Sequence, residues 1–131
     1  MTKPAKMHNI KRDFIPLLIL ALTVRLATAL TIDRPGYMDA AYYSAGAVRL
    51  AQGGGFREPF IWNYVNGPPA LPHPGYLYWM PLPSLLSAPF PILFPGSFLA
   101  LQIPFILLSA LLPLLTYIIA LRAAGNRLLA W

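Results

Sequence analysis

Polar and apolar positions fall into long blocks along this chain. Residues 14–32 (Phe14 to Ile32) form an apolar run broken only by the charge of Arg25. At ~1.5 Å per residue a helix of that length just reaches across a hydrocarbon core of about 30 Å. Residues 33–75 are polar and rich in glycine and proline, which predicts a loop with short helices. Within it the small and apolar run Asp39 to Gln52 predicts a helix, and Gly53-Gly54-Gly55 supplies the φ > 0 positions that end it. Residues 76–94 carry no charge but hold Pro81, Pro83, Pro89 and Pro91, each of which removes a backbone donor. A broken helix and a shallow re-entrant segment both fit that stretch. Residues 98–121, interrupted only by Gln102, Pro104 and Pro113, predict a cleaner crossing helix, and residues 122–131 open whatever follows.

These blocks predict an all-α membrane protein with two to three hydrophobic membrane segments and an extracytoplasmic loop carrying short interfacial helices. Residues 1–13 form a basic leader containing Lys3, Lys6, Lys11 and Arg12, the look of a cytoplasmic flank. The N-terminus is therefore expected inside and the loop 33–75 outside. With three full crossings Arg122 and Arg127 would end outside, against the charge rule, so two full spans and one partial one are preferred. A cleaved signal peptide ending near Ala27-Thr28-Ala29 is the competing reading, and Arg25 interrupts its pattern.

Composition narrows the class further. Of 131 residues 57% are hydrophobic and only 11% charged, with a mean hydropathy of +0.57, whereas an ordinary soluble domain carries roughly 25% charge. The net charge of +6 does not point to nucleic acid, because a basic patch interleaved with aromatics is missing. Cysteine is absent, which removes thiolate metal sites and cysteine nucleophiles.

Four acids are available for chemistry. Asp13 lies in the leader, Asp33 borders the first apolar run, and Glu58 follows the glycine run beside Arg57, which leaves Asp39 as the first suspect. An aspartate at a helix start fits two roles, an N-cap on free backbone amides and a general base. His73 opens the aromatic stretch His73-Pro74-Gly75-Tyr76-Leu77-Tyr78-Trp79, either as an interface anchor or as a donor to a phosphate oxygen. Trp62, Tyr64, Tyr76, Tyr78 and Trp79 read as an aromatic belt, with a sugar-stacking surface as the alternative. Arg34, Arg49 and Arg57 are candidates for a phosphate or lipid head group, since a guanidinium offers a bidentate fork. With two histidines and no cysteine, no histidine-based metal cluster is expected.

The order of these features resembles the N-terminal part of the GT-C glycosyltransferases, the polytopic family that includes protein O-mannosyltransferases and lipid A aminoarabinose transferases. The resemblance rests on the basic leader, the span containing Arg25, Asp39 followed by Tyr42-Tyr43, the helix ending Gly53-Gly54-Gly55-Phe56, and the His73-Pro74-Gly75-Tyr76 stretch. The family's second acid is Ala40 here, and its second proline is Gly75. The resemblance implies an N-terminal fragment, or a split gene product, of an enzyme moving a sugar from a polyprenyl-phosphate donor to an acceptor hydroxyl on the outer face, with inversion. It implies Asp39 as the base, and Arg34, His73, Tyr42, Tyr43 and Arg25 as substrate-binding residues. Partners would be the donor lipid, the bilayer and the remainder of the enzyme; the cofactor is unknown, a divalent metal being open. The alternative is a small non-enzymatic membrane accessory protein that binds a partner or lipid through its polar loop.

Overall fold

The computed structural model describes residues 8–61, 67–124 and 130, with side chains from residue 12 onward. Trp62, Tyr64, Arg127, most of the leader and most of residues 122–131 lie outside the described residues. The described residues are mostly helical (66%), in the order α1 (His8–Leu30), α2 (Met38–Ala51), β1 (Arg57–Glu58), β2 (His73–Pro74), α3 (Leu82–Ser87), α4 (Pro89–Leu93) and α5 (Phe98–Ala124). It divides into two compact units, one running to Thr31 and resuming at Phe105, the other Ile32–Pro104.

In the first unit, α1 begins inside the basic leader, not after it, so Asp13 is a helical residue. Its carboxylate is buried and accepts a hydrogen bond from the equally buried Tyr117 hydroxyl of α5. Leu17, Leu114, Tyr117 and Leu121 form the small core, with Phe14 and Leu18 packed on it. Most other large side chains of the two helices stay exposed, including Ile15, Ile19, Val24, Leu107, Leu111, Leu115 and Ile119. Among the described residues two helices, over Arg12–Leu30 and Phe98–Ala124, are long and apolar enough to cross a membrane. Pro16 sits within the first and Pro104 and Pro113 within the second.

The second unit departs from an all-α expectation by one short antiparallel ladder, in which Arg57 pairs with Pro74 and Glu58 with His73. Period-two alternation explains which side chains go inside: Glu58 and His73 are buried, Arg57 and Pro74 exposed. Helix α2 ends in a Schellman arrangement. Gly53, at φ +76°, donates its N–H to the Leu50 carbonyl at 3.0 Å, and Gly54 donates to the Arg49 carbonyl at 2.9 Å.

The proline-rich stretch forms α3 and α4, meeting at Ala88, with Pro83 and Pro89 in first turns where a missing amide costs nothing. The apolar stretch Leu82–Leu93 would reach only about 18 Å at 1.5 Å per residue, short of a bilayer core. Both short helices pack against α2. Ser84 Oγ donates to the Tyr43 carbonyl at 2.9 Å, and Ser87 Oγ donates to the Leu101 carbonyl in the first turns of α5 at 2.8 Å.

Candidate functional site

The polar chemistry of the second unit converges on Glu58. Its Oε1 accepts a hydrogen bond from the Tyr42 hydroxyl and another from the Tyr76 backbone N–H at 3.0 Å, and its Oε2 lies 3.9 Å from His73 Nε2. Glu58 is 7% exposed and His73 5% exposed, so this is a buried acid held by donors, as a desolvated polar group requires. The Tyr42 hydroxyl also receives the Tyr76 N–H at 3.0 Å. Tyr42 comes from α2, Glu58 from β1 and Tyr76 from just after β2, so three separate stretches are tied at one point.

Backbone geometry makes that approach possible. A side chain at Gly75 would put its Cβ 2.8 Å from Glu58 Cγ and 2.9 Å from Oε1, so the glycine clears room for the acid. Tyr76 takes φ +60°, a left-handed conformation that costs a non-glycine residue about 1–3 kcal/mol unless its surroundings impose it. Here the N–H is bonded to Glu58 and Tyr42, and the ring packs edge-on to Tyr42 and Phe56 at 5.4 and 5.6 Å. Trp79 and Tyr43 complete the aromatic wall around Tyr42, at 5.3 and 5.5 Å. Burial first, and the Glu58 hydrogen bond second, raise the Tyr42 hydroxyl above its ordinary pKa of 10.0.

The residues marked from sequence fall in different places. Tyr42, His73 and Tyr43 join this cluster. The two ring nitrogens of His73 each lie 2.9 Å from a backbone carbonyl, of Phe60 and of Pro74, so its polar atoms are directed inward. Asp39 is half-buried in the first turn of α2. It is not the N-cap: that place belongs to Tyr37, extended at φ −157° and without a side-chain cap bond, because the helix starts one residue earlier than expected. Among the described residues the Asp39 carboxylate makes no hydrogen bond or ion pair. Arg34 is exposed and 4.0 Å from the equally exposed Asp33, a contact of little energetic weight. Arg25 lies exposed on α1, outside this unit.

Sequence reasoning set Glu58 aside. The available signal was its place between exposed Arg57 and an apolar run, Pro59-Phe60-Ile61, which a strand turns into one outward and one inward position.

Beside the cluster is a cavity of about 560 Å³ walled by α2, β1, α4 and the first turns of α5. Tyr42, Glu58 and Tyr76 reach its wall, and two basic residues, Arg49 and Arg57, line it. Among the described residues no three His, Cys, Asp or Glu side chains come together as metal ligands. No protein-family model matches the chain, and neither does a curated protein or a solved structure.

Proposed function

We propose that the chain is the N-terminal portion of an integral-membrane inverting glycosyltransferase that uses a polyprenyl-phosphate sugar. The observation supporting this is the meeting of the two segments that carry the resemblance: Tyr42 of the first accepts the N–H of Tyr76 from the second at 3.0 Å. The membrane part of the reading is supported by α1 and α5, whose apolar side chains remain exposed on most of their surface and find their medium in lipid. In this reading the N-terminus is cytoplasmic and the loop 33–75 faces the other side.

Asp39 is the base. Its carboxylate, unengaged by other side chains and seated in the first turn of α2, is open to an acceptor hydroxyl. The acceptor gives its proton to Asp39 while its oxygen forms the new bond at the anomeric carbon. The bond from that carbon to the phosphate oxygen breaks on the opposite face, and the electron pair leaves on the lipid phosphate. Arg34 is the cation offered to that developing charge, whereas His73 and Glu58 hold the two segments together.

The test uses membranes from cells expressing the full-length gene product, supplied with radiolabelled sugars on polyprenyl phosphate. Asp39→Asn should lower transfer by about 10²- to 10⁴-fold while insertion into the membrane persists. Undiminished transfer in that variant overturns the assignment of the base.

A further inference from the structure

The cavity of about 560 Å³ in the second unit is not where the proposed transfer would occur, because Asp39 does not line it. Its walls are instead those of a binding site. Val48, Phe60, Pro91, Phe98 and Leu101 make it predominantly apolar, and two cations, Arg49 and Arg57, stand against one acid, Glu58. That acid is already occupied by Tyr42 and Tyr76, so the guanidiniums are left to set the electrostatics. Arg49 has a buried Nε without a hydrogen-bond partner, and its side chain lies along Gly54, where an added Cβ would come within 2.6 Å of Arg49 Cγ. A buried guanidinium nitrogen with no acceptor costs free energy until an anion supplies one. Phe98 and Leu101 place the cavity at the N-terminal end of α5, where a crossing helix would leave the hydrocarbon.

We propose that this cavity binds the head of an anionic glycerophospholipid, with the phosphate on Arg49 and Arg57 and the upper part of an acyl chain against Phe98 and Leu101. A guanidinium fork matches phosphate oxygens in two places at once, and the apolar wall distinguishes a lipid from a free anion. The proposal rests on the membrane reading of α5 but not on sugar transfer.

Native mass spectrometry of the full chain in a neutral detergent tests it, with phosphatidylglycerol, phosphatidylcholine and inorganic phosphate as the three probes. Phosphatidylglycerol should bind about tenfold more tightly than phosphatidylcholine, and Arg49→Ala or Arg57→Ala should abolish that preference. Gln52→Glu adds an opposing charge at an exposed lining position and should weaken phosphatidylglycerol binding even if Arg49→Ala fails to fold. Equal affinity for the two lipids, a preference untouched in Arg57→Ala and Gln52→Glu, or saturation by inorganic phosphate alone overturns the site. Carbonate extraction separates the two failures: a chain that stays in washed membranes without lipid preference overturns the site, and one that is released overturns the membrane reading.

Discussion

The Tyr42 hydroxyl donates to the Glu58 carboxylate across 16 positions of sequence, and both groups are buried. The same oxygen of Glu58 takes the N–H of Tyr76, so one acid neutralises the demands of two donors from distant stretches. Leaving such donors buried without an acceptor costs about 1–3 kcal/mol each. Glu58→Ala should therefore open the second unit, with rapid amide exchange at Tyr76 and protease cleavage between α2 and α3. Glu58→Gln keeps an acceptor oxygen and should fall between that variant and the parent. Equal protection of Tyr76 in all three chains would show that the acid does not hold the unit.

The pKa shift of Tyr42 gives a pH dependence with a defined sign. The folded hydroxyl ionises above 10.0 because burial and Glu58 disfavour the phenolate. As pH rises through about 10 the unfolded state releases its proton first, so stability present below that pH is lost above it, at about 1.4 kcal/mol per pH unit for each such group. Tyr42→Phe should be less stable at neutral pH, having lost its hydrogen bond, yet decline more shallowly from pH 10 to 12. Tyr76, also raised, chiefly by burial, leaves a residual slope. Unfolding midpoints read by near-ultraviolet circular dichroism across that range decide it, and parallel slopes would sink the assignment to Tyr42.

What could be read from the sequence was what composition decides locally. The apolar blocks marked α1 and α5 to within a few residues at most of their ends, and Gly53 marked the end of α2, since hydrocarbon-length runs and left-handed glycines act without long-range help. Glu58 escaped because its burial depends on pairing with His73 and on Tyr42, neither of which is near it in sequence. Asp13 escaped for the same reason, its partner being Tyr117. His73 read either as an interface anchor or as a donor to a phosphate oxygen, because adjacent aromatics suit an interface equally well whether the ring points out or in.

Asp13 and Tyr117 make a buried polar contact between α1 and α5, each residue 1% exposed. Interhelical hydrogen bonds between membrane helices average about 0.6 kcal/mol and reach about 1.7, because the separated helices also find partners. Tyr117→Phe preserves the ring and should cost an amount in that range, detectable as a shifted midpoint in an SDS titration of the chain in bicelles. A loss well above it would mean that this hydrogen bond carries more than membrane interhelical bonds usually do. No shift would place the stability of the pair in the packing of Leu17, Leu114 and Leu121.

Gly46 sits inside α2, where an alanine would ordinarily add about 1 kcal/mol of helix stability. Here an added Cβ would lie 2.0 Å from the Tyr76 hydroxyl and 2.8 Å from Ser84 Oγ, inside any contact that real atoms tolerate. Ser84 is fully buried and bonded to the Tyr43 carbonyl, so it has little freedom to retreat. Tyr76 is held by its backbone N–H at φ +60°. The steric cost should exceed the helix gain, and Gly46→Ala should destabilise the second unit by about 1–3 kcal/mol, the usual range for overpacking. Tyr76→Phe removes the closest atom while keeping the ring, though the ring carbon beneath it remains 3.0 Å from the new methyl. The double variant should thus recover part of the loss, and a double-mutant cycle on unfolding free energies should show favourable coupling between the two positions. Simple additivity would mean that α2 and the Tyr76 ring do not meet closely enough for this geometry to set the packing.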